Sequence, residues 1–244
     1  MEGLKSAFEE RLAEVEAYLM FLTTLEEQAQ KGPPRIEGAD QVISVQQQKI
    51  LYAGVYLQLY NLVESTMTRC IEAIGEAAAQ TGAWVPGDLC AALRKEWVRA
   101  IAKTHIELTP DNRLSNALGL CEHLVSALPV QNFSIEKGGG GNWDDDAIED
   151  ISGRLGFKLT VSVETYRGIK RRIKDDLGAL GLVKRLRNQL AHGSISFSEC
   201  ADGMTVTQLK EIKDYTVNYL REVVDRFITY IVNFEFLILE RRPA

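Results

Sequence analysis

Apolar residues that recur at three- and four-residue steps over long stretches constrain this chain more than any other feature. Leu4, Phe8, Leu12, Val15, Leu19 and Leu22 mark one face of a helix running to about Gln30, which Lys31-Gly32-Pro33-Pro34 ends. From about Val45 to Gln80 the pattern returns at Leu51, Val55, Leu59, Leu62, Val63 and Met67, and Thr81-Gly82 stops it. A third long helix is predicted from Thr207 to about Glu240, with Leu209, Ile212, Val217, Leu220, Val224, Phe227, Ile231 and Phe234 roughly in phase. Only 6 Pro in 244 residues leave room for such helices, so the expected class is all-α.

Shorter helices with physical start signals fill the middle. Asp88 is expected to cap 89–104, Thr109 to cap a helix with Pro110 at its first position, and Asn142 to precede a first turn carrying Asp144, Asp145 and Asp146. The loop Lys137-Gly138-Gly139-Gly140-Gly141-Asn142 lacks the GxxxxGK[ST] pattern and no strand precedes it, so it reads as a linker, not a phosphate cradle. Residues 82–160 therefore look like a helical insertion between two pairs of longer helices, inside a single domain spanning 1–244. Further on, a basic helix is expected from about Val163 to Lys174, a bend near Gly178 to Gly181, and a helix that ends around Ala191 at His192-Gly193. Ser194 to Val206 alternates around Asp202-Gly203 as a small hairpin or a plain loop would.

A formal charge of −6 argues against a protein that coats nucleic acid by bulk electrostatics. Local clusters remain open to phosphates. Arg167, Lys170, Arg171, Arg172, Lys174, Lys184, Arg185 and Arg187 crowd one short stretch, either as a solvated face partly neutralised by Asp175 and Asp176 or as a phosphate-binding strip. Cys70, Cys90, Cys121 and Cys200 lie far apart without CxxC pairs and read as reduced, mostly buried thiols. The start MEGLKSAFEERLAEVE has no signal-peptide core, and Phe227 to Leu239 is well short of the roughly 18 to 20 apolar residues a membrane span needs. A cytoplasmic, membrane-free protein is expected.

The segment richest in chemistry is Arg185-Leu186-Arg187-Asn188-Gln189-Leu190-Ala191-His192-Gly193. Asn188 and His192 are one helical turn apart and share a face, while Arg187 lies roughly 140° around from His192. An imidazole can take or give a proton near neutral pH, a guanidinium can hold a phosphate in a bidentate way, and an amide can orient either. These are the needs of phosphodiester cleavage in RNA, with no metal and no cofactor in the scheme. His105 and His123 show no HExxH or comparable metal spacing. On spacing alone the segment serves equally as an ordinary helix terminus, where a His meets the negative end of the dipole.

Arg187-Asn188, three residues and His192, at the end of the penultimate long helix of an all-helical chain, resembles the signature of the HEPN superfamily. The helix containing LYNLVEST, Leu59 to Thr66, and the polar segment leading into a long apolar last helix resemble a prokaryotic HEPN branch of toxins and defence proteins. This resemblance implies an up-and-down four-helix bundle core that dimerises so that two Arg-and-His motifs face each other across a cleft. It implies a metal-independent endoribonuclease of toxin or antiviral type that leaves a cyclic phosphate. On that footing Arg187 stabilises the phosphorane, His192 transfers protons or contacts phosphate, and Asn188 orients them. Glu64, which interrupts the apolar flank of Leu62, Val63 and Met67, is a supporting residue that would pair with Arg187, and Asn61 is a poorer one. Lys184, Arg185, Arg171 and Arg172 are candidate RNA contacts. The expected partners are RNA, a second copy of the chain, and an antitoxin or defence-system protein. A different class stays open: a HEPN-like module that binds RNA, nucleotides or a partner without catalysis, the bundle alone saying nothing of activity.

Overall fold

The computed structural model describes residues 2–38, 41–80, 84–104, 106–137 and 142–243. Among them no β-strand forms, and nine α-helices follow one another: α1 Glu2–Lys31, α2 Val45–Ala79, α3 Ala91–Ala102, α4 Pro110–Val125, α5 Asp145–Leu155, α6 Val163–Ile169, α7 Ala179–Ala191, α8 Phe197–Cys200 and α9 Val206–Val232. The expected all-α class is thus observed. The chain divides into two compact units, the first formed by Met1–Thr66, Asn142–Asp145 and Val161–Glu222, the second by Met67–Gly141, Asp146–Thr160 and Val223–Ala244.

In the first unit, the stripe read from the sequence of α1 is the buried one: Phe8, Leu12, Val15, Leu19 and Leu22 meet the core. The start of α2 supplies Val55, Leu59, Leu62 and Val63, α7 supplies Leu182, Val183 and Leu186, and α9 supplies Leu209, Ile212 and Leu220. Polar contacts fix how these helices run. Glu9 meets Arg221 at 3.3 Å, Glu16 meets Lys213 at 3.8 Å, and Glu26 accepts the Val206 N–H at 3.1 Å, so α1 and α9 are antiparallel. Tyr18 donates to the Leu51 carbonyl at 2.7 Å, and its hydroxyl approaches Gly54 so closely that a Cβ there would lie 2.9 Å away.

The second unit is organised around a buried carboxylate and an aromatic cluster. Glu96 of α3 takes Arg99 at 2.7 Å and Arg154 of α5 at 2.8 Å, the double pairing that a charge removed from water requires. Phe157 packs edge-on to Phe227 and tilted against Tyr230, whose hydroxyl donates to the Leu155 carbonyl at 2.7 Å. By contrast α4 buries none of its residues and leaves Leu114, Leu118, Leu124 and Val125 exposed. Its start follows the sequence: Thr109 accepts from the Asn112 N–H, with Pro110 next.

Four local expectations are corrected. Asp88 does not cap α3; its carboxylate accepts the Val85 N–H at 3.0 Å and meets Arg241 at 2.8 Å, and Cys90 occupies the cap position. The basic helix stops at Ile169, short of Lys174, and a turn follows in which Asp175 and Asp176 take positive φ, a conformation that Asp tolerates better than most residues. Ser194 to Val206 is neither hairpin nor plain loop: it holds α8, started by a reciprocal capping box between Ser196 and Glu199. The last helix ends at Val232, and Phe234 at φ 52 turns the chain so that Phe236 and Leu237 reach the core from outside any α-helix. The Gly138 to Gly141 loop, the stop at Thr81-Gly82 and His105 lie outside the described residues. Among the described residues, no helix is long and apolar enough to cross a membrane. All four cysteines are free, with Cys70 and Cys200 buried and Cys121 exposed.

Candidate active site

The site rests on α7. Gly178 stands at its N-cap because the chain passes close by: a Cβ there would lie 2.2 Å from the Ile169 carbonyl oxygen. The apolar positions Leu182, Val183, Leu186 and Leu190 turn inward, which leaves Lys184, Arg187 and Asn188 along a half-buried flank. The helix is closed by two backbone bonds, Ser194 N–H to Gln189 and Gly193 N–H to Leu190, with Gly193 at φ 67. That closure needs a left-handed residue just past the helix end, the reason for glycine directly after His192. His192 is the cap residue itself, and its ring is exposed.

Arg187 is held from three directions. Its Nη1 donates to Asn188 Oδ1 at 2.7 Å, its Nη2 donates to Glu64 Oε2 at 3.2 Å, and its guanidinium carbon sits 3.9 Å above the ring centre of Tyr60. Two of five guanidinium donors are so engaged among the described residues. The restraints are themselves restrained. Asn188 donates to Asn142 Oδ1 at 3.1 Å, and the Tyr60 hydroxyl accepts the Trp143 N–H at 3.3 Å. Burial pushes the Tyr60 phenol up, against the weaker opposing pull of the Trp143 N–H and the nearby cations, so the ring is neutral at physiological pH.

Arg187, Asn188 and Glu64 therefore form one cluster. The His192 imidazole stands a turn further on and makes no hydrogen bond to it among the described residues. Asn61 lies elsewhere, exposed and lining a groove between α1 and α2 with Arg11, Glu14 and Tyr18. The candidate RNA contacts are each met by an acid: Lys184 by Asp144, Arg185 by Asp175, Arg171 by Glu211 at 2.6 Å, and Arg172 by Asp176 at 2.9 Å. Among the described residues no group of three or more His, Cys, Asp or Glu is set to hold a metal ion.

Two members of the cluster were missed in the sequence. Tyr60 is one turn before Glu64 on the same helix face, so its place was open to inference once Glu64 was singled out. In the sequence Asn142 marks only the start of a helix, and nothing local connects it to a residue forty-six positions away.

A family model described as HEPN_MAE_28990-like HEPN matches residues 1–236, and the chain belongs to this HEPN family. No curated protein and no solved structure matches it.

Proposed function

We propose that this HEPN protein is a metal-independent endoribonuclease of the toxin or antiviral-defence kind, acting as a homodimer in which two copies of the Arg187, Asn188 and His192 motif face one another. The observation that carries the reading is the fixed guanidinium of Arg187, braced by Glu64 and Asn188 one turn before an exposed histidine at a helix end. In this scheme the 2′-hydroxyl of RNA attacks the adjacent phosphorus, the bond from phosphorus to the 5′-oxygen breaks, and a 2′,3′-cyclic phosphate and a 5′-hydroxyl result. One imidazole takes the 2′-hydroxyl proton and the partner's imidazole gives one to the departing oxygen. Arg187 meets the charge that grows on the phosphorane, a contribution that typically changes the rate by about 10²–10³-fold. The 82–160 insertion would serve substrate choice or a neutralising partner.

The test is RNA cleavage in EDTA. Wild type is expected to cut total cellular RNA to ends bearing cyclic phosphate, and His192→Ala or Arg187→Ala to lose at least about 10²-fold without unfolding. Cleavage unchanged in both variants sinks the proposal. A second reading, RNA binding without catalysis, is favoured by the exposed His192 imidazole having no hydrogen bond to the Arg187 cluster among the described residues; RNA held tightly and left intact would decide for it.

A further inference from the structure

We propose that Tyr60 is a positioning residue for Arg187, its ring acting as the platform that sets the plane of the guanidinium, and that the Asn142-Trp143 step locks that platform from the other side. The inference rests on the ribonuclease reading above for its purpose, though its geometry stands alone.

A guanidinium is planar and its donors lie in that plane, so presenting a two-pronged face to a phosphate requires the plane to be fixed as well as the charge. Hydrogen bonds alone do this poorly here. Glu64 supplies a single contact at 3.2 Å from a carboxylate whose side chain is 47% exposed, and Asn188 is the neighbouring residue on the same helix. Tyr60 differs from both. It is 2% exposed, its ring lies 3.9 Å from the guanidinium carbon, and that separation is face contact. An aromatic face attracts the cation without neutralising it, and it offers no acceptor to compete with phosphate for the free donors.

The hydroxyl explains why the position holds Tyr and how the ring is kept from rocking. It accepts the Trp143 N–H at 3.3 Å, and the preceding residue, Asn142, accepts from Asn188 at 3.1 Å. Two successive residues thus grip two of the three partners of Arg187, the ring beneath it and the amide beside it. Asn142–Asp145 belong to the first unit while the chain on both sides belongs to the second, and Asp144 and Asp145 are paired within it too, with Lys184 and Lys170.

The experiment compares Tyr60→Phe, Tyr60→Leu and Tyr60→Met in the full chain, each with its melting temperature, on total cellular RNA in EDTA. Alongside, the Arg187 Nε–H proton resonance of wild type is recorded, assigned by its loss in Arg187→Lys. Phe keeps the platform and is expected to retain at least about a third of the wild-type rate, whereas Leu and Met, which keep bulk but not the flat ring, lose about tenfold or more with the fold intact. Rescue by Phe separates positioning from mere filling of the core. The Nε–H resonance is expected upfield of ordinary arginines through the ring current. The inference is overturned if Leu and Met cleave like wild type, if Phe is as damaged as Leu, or if the resonance is unshifted. A wild-type protein that cuts no RNA overturns the ribonuclease reading instead, and the resonance then decides the platform by itself.

Discussion

The two halves of one basic stretch behave differently. Between Arg167 and Lys184 four of the cations meet acids, Lys170 with Asp145, Arg171 with Glu211, Arg172 with Asp176 and Lys184 with Asp144, and Arg171 also donates to the Tyr215 hydroxyl at 2.6 Å. Arg187, three residues beyond, is braced by a carboxylate, an amide and an aromatic face at once. Ion pairs at exposed or partly exposed positions contribute little to stability and tie up the charge a polyanion would use. A side chain gripped on several sides loses its rotamer freedom before any ligand arrives, and so costs less to engage. Counting cations in a sequence therefore overstates how many are poised for a phosphate.

This contrast can be broken most directly at Arg187 itself. Arg187→Lys keeps the charge but loses the fork and the flat stack, and is expected to lower the RNA cleavage rate by about 10²-fold. A lysine variant as active as wild type would reduce the site to simple charge. Next in size is Gly178, where the end of the basic stretch touches α7. At φ −74 an alanine suits the backbone, so any cost comes from its Cβ meeting the Ile169 carbonyl. Gly178→Ala should destabilise the chain by about 1–3 kcal/mol in urea unfolding. A smaller effect is expected from Lys184→Ala and Arg171→Ala, each within about threefold of wild-type cleavage, since each cation already has an acid partner. Were Lys184→Ala as damaging as Arg187→Lys, the distinction between the two halves would fall.

The least effect concerns pH. For Glu222, burial acts upward but is outweighed by hydrogen bonds from Thr165 and Ser162, leaving its carboxyl below the ordinary range. Its contribution is present above the unfolded carboxylate range and is lost as pH falls through the lower folded value. Because the group is only partly buried, Glu222→Gln should remove less than about 2 °C of the acid-side change in melting temperature below about pH 5. An unchanged acid slope would show that this anchor of α6 to α9 is not a proton-linked one.

How much of this was legible in advance depends on how far each signal acts along the chain. The stripes of α1 and α2 and the end of α7 were readable because a period of 3.6 and a His-Gly boundary are local. The end of α9 was not, because Phe234, Phe236 and Leu237 continue the apolar run with neither Pro nor Gly to mark the turn. At α8 the alternation of Ile195 and Phe197 with polar residues suggested strands, while Ser196 and Glu199, spaced as a capping box, carried the stronger signal. In the site, Arg187, Asn188 and His192 lie within six residues and could be singled out by eye. The aromatic face and the second amide could not, since burial and long-range packing alone bring them there.

The bond between Glu64 and Arg187 spans 123 residues of chain. During synthesis the first of these residues leaves the ribosome long before the second exists, and contacts of such separation form late because a large loop must close first. Any nascent chain shorter than Arg187 has the platform and the carboxylate but nothing for them to hold. The centre is therefore among the last things this protein completes, and a translation product cut short upstream of α7 would be born without it.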